Sequence, residues 1–241
     1  MHLIMINITN KNKIKNLIFY FIAFVLVPTL IAIGLIFMPS KSYAVVSIVI
    51  AILINVIFLF DFERKKTATR EIVLIAVMVA LTVVSRLLFA PIPSFKPVTS
   101  IVIIAGIAFG ARAGYITGAM AAVVSDIFFG QGPWTPFQML VWGIIGFFAG
   151  VFFYGKTIKL WLVMIYSMIS GVVFSVIMDI WTVIAIENTF SLIRYGQVLL
   201  ASLPFMAIYA VSNLIFTIVL TKPFMKKLTR IKDKFGVFCK S

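Results

Sequence analysis

Ala90-Pro-Ile-Pro-Ser-Phe-Lys-Pro97, Gly110-Ala-Arg-Ala-Gly114 and Phe128-Phe-Gly-Gln-Gly-Pro-Trp-Thr-Pro-Phe-Gln138 are three short loops between long apolar runs. A basic cluster, Arg64, Lys65, Lys66 and Arg70, precedes them. The loops alternate in kind. Proline and aromatic residues fill the first and third, the third with amides as well, whereas the second is small and carries Arg112. A chain that crosses a bilayer repeatedly produces this alternation, because Lys and Arg are retained on the cytoplasmic side. One face is then basic, and the other is free to receive a ligand.

Working outward, 63% of the chain is hydrophobic and 12% is charged. A soluble domain carries about 25% charged residues. The chain therefore reads as an all-α integral membrane protein with no separate soluble domain. Its formal net charge of +14 would suit nucleic acid in a soluble protein. Here the positive-inside bias accounts for it, and no nucleic-acid partner is expected. Cys239 is the single cysteine and His2 the single histidine, so there is no intrachain disulfide framework and no Ser/His/Asp set. The chain has no Gly-x-x-x-x-Gly-Lys-Ser/Thr phosphate loop, no Cys-x-x-Cys and no His/Glu ligand pair on a helix. Enzyme readings lack parts, and no metal or cofactor is expected.

A span takes about 20 apolar residues. Segments at about 17–38, 44–60, 71–90, 97–110, 113–129, 136–154, 158–186 and 197–221 qualify as candidates, which predicts eight spans. Lys11, Lys13 and Lys15 precede the first. That run is longer than the ~7–15 residues of a signal-peptide core, so it reads as an uncleaved helix. Segment 97–110 reaches only ~20 Å at ~1.5 Å per residue. It is either a short helix inside the bundle or a re-entrant segment. Segment 158–186 is long enough to tilt, or to bend near Ser170-Gly171. With the N-terminus inside, only Lys41, Arg86, Lys96 and Arg194 of the 21 basic residues fall on the outer side. Both termini are thus expected in the cytoplasm, with 90–97, 128–138 and 187–197 outside.

Small residues recur four apart at Ala76/Ala80, Gly106/Gly110, Gly114/Gly118 and Gly146/Gly150. In lipid such residues let helix backbones approach and gain van der Waals contact. The glycines read as internal packing. For the alanines, on the first turns after the basic loop, a face for a partner competes with that reading. Arg86 and Asp126 lie at similar depth near outer helix ends, which suits an ion pair that pins two helices or floors a pocket. Asp179 is deeper and has no obvious partner, so it reads as ligand- or proton-linked. In the third loop, Gln131, Trp134, Thr135 and Gln138 supply amide, indole and hydroxyl groups. Ligand sites combine apolar walls with a few such groups, so the loop reads as a lid or pocket wall, with an interfacial aromatic belt as the alternative. The candidate substrate-binding set is Arg86, Lys96, Asp126, Gln131, Trp134, Gln138, Trp142 and Asp179.

In this order, the basic loop, the helix bearing Ala76-Val-Met-Val-Ala80, the Pro-rich loop, Gly110-Ala-Arg-Ala-Gly114 and Phe-Gly-Gln-Gly-Pro-Trp-Thr-Pro resemble the substrate-binding S components of energy-coupling factor transporters, bacterial vitamin importers. The resemblance covers about residues 65–222. It implies a six-helix core over 63–222, preceded by a two-helix membrane extension over 1–62 and followed by a basic cytoplasmic tail over 223–241. It implies a plasma-membrane protein that binds a vitamin from outside and docks through Ala76 and Ala80 to a membrane scaffold subunit, itself bound to two ATPases. Members that carry nickel or cobalt begin Met-His, as this chain does. They have further ligand histidines and an outside N-terminus, which this chain lacks, so metal is rejected. Among vitamins, the Gly-Gln-Gly-Pro-Trp core most resembles cobalamin carriers, with the other vitamins together of equal weight. Two other readings stand beside this one. A membrane-embedded enzyme acting on lipid would use Asp126 and Asp179, and a proton-coupled secondary transporter would use Asp179.

Overall fold

The computed structural model describes residues 43–64, 68–157, 159–187 and 189–238. The candidate span at 17–38 lies outside them. The described residues form seven helices and no strand: α1 (Tyr43–Arg64), α2 (Thr69–Leu88), α3 (Val98–Phe109), α4 (Ala111–Phe129), α5 (Thr135–Phe153), α6 (Leu160–Glu187) and α7 (Leu192–Phe235). Four of them, α2, α5, α6 and α7, are long and apolar enough to cross a membrane. The eight spans expected from apolar runs are therefore not of one kind, and α3 is one that falls short.

Helix α3 has 12 residues, a length of about 18 Å. Every one of its residues is buried, and it touches α2, α4, α5, α6 and α7. Segment 97–110 is thus a short helix packed inside the bundle. It is apolar on all sides because it meets protein on all sides. Its end is set by Gly110, whose φ of 93° is open to glycine at little cost. The chain reverses there and α4 begins at the next residue. Helix α4 then packs most extensively on α5 through the predicted small-residue faces. A Cβ on Gly114 would collide with the Gly146 carbonyl, and one on Gly146 with the Gly114 carbonyl. Backbone contact this close holds two helices together without a hydrophobic driving force.

At the basic end of the bundle, α7 continues past the expected boundary at 221 to Phe235. Gly236, in the left-handed region, stops it. The chain then folds back. The Phe238 ring stacks on Phe109 at 4.5 Å. Its N–H donates to Glu71 Oε1 at 2.7 Å, and its carbonyl accepts from the Tyr154 hydroxyl at 2.6 Å. Lys232 Nζ donates to the Ala108 carbonyl at 2.8 Å. Helix α1 packs against α4, α5 and α6. On α2, Val73, Ala76, Val77, Ala80 and Val84 are all exposed along one side.

Candidate functional site

The end of the bundle opposite the basic one is built around one ion pair. Arg86 ends α2 and Asp126 lies near the end of α4, and Arg86 Nη1 reaches Asp126 Oδ1 at 2.7 Å. Both side chains are buried. A buried charge is tolerated only when paired and hydrogen-bonded, and each partner here is. Arg86 also donates to the Ser125 hydroxyl. Thr135 Oγ1, in the first residue of α5, donates to Asp126 Oδ2 at 2.8 Å. With its amide nitrogen turned toward α4, Gln138 donates to the same carboxylate at 3.2 Å. The Arg86 guanidinium lies over the Phe129 ring at 4.5 Å and the Trp142 ring at 5.0 Å. Its direction is therefore fixed from several sides.

Beside this pair opens a cavity of about 200 Å³, lined by Arg86, Ser94, Lys96, Val98, Gln138, Trp142, Phe174, Ser175 and Tyr209. Trp142 and Phe174 stack nearly parallel at 5.2 Å, and Tyr209 tilts onto Phe174 at 5.2 Å. The Tyr209 hydroxyl accepts from Trp142 Nε1 at 3.3 Å and shares a 2.6 Å hydrogen bond with Thr99. Lys96 enters from the Pro-rich loop, with Nζ over the Phe129 ring at 5.1 Å. Burial, and secondarily the Arg86 charge, hold the Lys96 amine below its ordinary value. Ser94 has a left-handed backbone, φ 55°, which is uncommon for a non-glycine residue. The Ile92 N–H donates to the Phe89 carbonyl, and the Phe95 N–H to the Ile92 carbonyl. This tight winding brings both Ser94 and Lys96 to the cavity.

Of the residues expected at a site, Arg86, Lys96, Gln138 and Trp142 line this cavity, and Asp126 stands behind Arg86. Gln131 and Trp134 do not line it. Gln131 Nε2 donates to the Val123 carbonyl at 2.8 Å, and the Trp134 ring packs on Gly132. These two residues brace the loop. Asp179 is also absent from the lining, and it accepts a hydrogen bond from Ser202 Oγ. The partner not found in the sequence is thus Ser202 of α7. Asp126 and Asp179 have separate partners and share none, which leaves the two-acid catalytic reading without a common site. The sequence reading missed Tyr209, Phe174, Ser175, Val98 and Ser94. A signal for α7 was present: Tyr209, Asn213, Thr217 and Thr221 recur every four residues, one face of a helix. All four are buried. Asn213 and Thr217 meet Ser100 of α3, and the Asn213 amide itself finds no hydrogen-bond partner among the described residues.

The whole arrangement is a small aromatic cavity under a proline-braced loop, with two cations and an amide at its rim. Aromatic walls with a few placed polar groups suit binding. The family model described as "ECF-type riboflavin transporter, S component" matches residues 66–230. No curated protein matches the chain. The protein is a multi-pass membrane protein and the substrate-binding subunit of a vitamin transporter, not an enzyme. Members of such a family work with a scaffold subunit and an ATPase module. The chain belongs to the ECF-type riboflavin transporter S-component family.

Proposed function

We propose that this subunit captures riboflavin, or a closely related flavin, in the cavity between Trp142, Phe174, Tyr209, Lys96 and Gln138. The observation that carries the reading is the cavity itself, taken with the family match. Its parallel Trp142–Phe174 wall suits a flat heteroaromatic ring, since aromatic faces gain from offset stacking. Lys96 and Arg86 supply donors for ring carbonyls, the Gln138 amide oxygen is left as an acceptor, and Ser94 and Ser175 supply hydroxyls for a polyol chain. At about 200 Å³ the cavity lies below the ~300–1,000 Å³ common for ligand pockets. The matched family model is of the riboflavin type, so riboflavin is preferred here over the cobalamin suggested by the Gly130–Trp134 loop.

Orientation and docking belong to the same proposal. The cavity end faces outside and the basic end, with both termini, faces the cytoplasm of a bacterial cell. The placement of Lys and Arg supports this. Ala76 and Ala80 form the contact with the scaffold subunit. Their exposure on an otherwise apolar side of α2, with α1 packed elsewhere, supports that role.

The test is titration of riboflavin with the full chain purified in mild detergent, followed by quenching of flavin fluorescence. One-to-one quenching that cobalamin and thiamin do not reverse is the expected result. Unquenched riboflavin, together with a stoichiometric corrinoid released from the purified protein, overturns the flavin assignment.

A further inference from the structure

We infer that Asn55 of α1, which precedes the matched region, is a positioning residue for the ligand cavity. This rests on the cavity described above being the vitamin site.

Asn55 is 2% exposed and sits among apolar neighbours that include Ile54 and Phe58. A buried amide is costly unless its polar atoms are paired, and this one is used at both ends. Nδ2 donates to the Ala51 carbonyl at 2.7 Å and to the Pro136 carbonyl at 3.1 Å, while Oδ1 accepts from the Tyr115 hydroxyl at 2.9 Å. One turn on, the Phe58 ring stacks on Tyr115 at 3.9 Å. Helix α1 thus grips α4 through Tyr115 and the first turn of α5 through Pro136.

That first turn is the part of α5 that builds the site. Thr135 and Gln138 flank Pro136 and both hold the Asp126 carboxylate, and Gln138 lines the cavity. The turn is therefore held on one side by Asp126 and on the other by Asn55. Losing Asn55 removes one of its holds and leaves Asp126 and the Phe137 ring stacked on Trp181 at 4.7 Å, so Gln138 is positioned less firmly. The extra helix, which the resemblance left without a role, acts as a strut for the ligand site.

The test compares Asn55→Leu with Tyr115→Phe in the full-length protein. Asn55→Leu removes the Pro136 contact, whereas Tyr115→Phe leaves it in place. Riboflavin dissociation, read by stopped-flow fluorescence, is expected to accelerate about three- to tenfold in Asn55→Leu, the size of one lost hydrogen bond. In Tyr115→Phe it stays within about twofold, although that variant melts earlier. In ligand-free protein, amide hydrogen exchange over 137–141 is expected to speed up in Asn55→Leu alone. If Asn55→Leu does not fold, Asn55→Ser replaces it, since its hydroxyl is too short for Pro136. Unchanged exchange over 137–141 overturns the inference, as do equal dissociation rates in the two variants. Should the native chain not bind riboflavin, the flavin assignment fails on its own and the exchange data alone decide the role of Asn55.

Discussion

Replacing Asp126 with Ala strikes the buried Arg86–Asp126 charge pair beside the cavity. The carboxylate neutralises Arg86 and accepts from Thr135 and Gln138. Its loss leaves a buried guanidinium without a counter-charge and a buried hydroxyl without its acceptor. Breaking a buried pair from one side costs about 3–5 kcal/mol, because the remaining charge stays desolvated. Contact of Arg86 with the Phe129 and Trp142 rings returns about 0.5–2 kcal/mol. The desolvation cost is the larger effect, so Asp126→Ala is expected to lose about 1–4.5 kcal/mol. The double variant Arg86→Met with Asp126→Leu removes both charges, and such replacements are often neutral or stabilising. It is expected to cost at least about 2 kcal/mol less than the two single changes added together. Equilibrium unfolding in mixed dodecylmaltoside and SDS micelles, followed by tryptophan fluorescence, reads all the variants. A loss below about 1 kcal/mol in Asp126→Ala, or additive single changes, would refute the claim that the pair is buried and coupled. In Asp126→Ala the vitamin is expected to bind more weakly, since Arg86 no longer has a fixed direction, and in the double variant because Arg86 is gone from the cavity lining.

Two further outcomes follow from particular residues. Ala76→Leu combined with Ala80→Leu is expected to leave vitamin binding by the purified subunit unchanged and to abolish ATP-driven uptake in cells. Normal uptake would remove these alanines from the docking face. Lys96 lies in the loop before α3, and its amine is held below the ordinary lysine value. The folded state therefore binds fewer protons than the unfolded state between the lowered value and the ordinary 10.5. This lysine's destabilising contribution is fully present below the lowered value and is relieved as pH rises toward 10.5. Stability profiles of the native chain and Lys96→Met are expected to differ in slope over that alkaline window, with the steeper rise in the native chain. Parallel profiles there would contradict the half-buried, Arg86-facing position of Lys96.

Composition and charge placement determined the class of this protein, because burying an apolar chain in lipid needs long apolar runs and leaves basic residues on one side. Gly106, Gly114, Gly118, Gly146 and Gly150 read correctly as internal packing, since a residue without a Cβ in an apolar helix has its clearest use where backbones touch, whereas Gly110 turns the chain between α3 and α4. The Arg86–Asp126 pair was also legible, from two ionisable groups at one depth. What the sequence left open was decided by packing between distant segments. A mostly apolar run of 14 residues fits a buried helix and a re-entrant loop equally well, and only its contact with five neighbouring helices distinguishes them. Asp179 looked unpaired because Ser202 is 23 residues away in the chain. Gln131 and Trp134 have the chemistry of ligand contacts but bind and pack within their own loop, while Phe174 and Tyr209 were brought to the cavity from two later helices. Asn55 gave no local sign of a role, because its partners at Tyr115 and Pro136 lie 60 and 81 residues downstream. Local pattern records which face a residue can occupy, and the tertiary structure alone decides what stands opposite it.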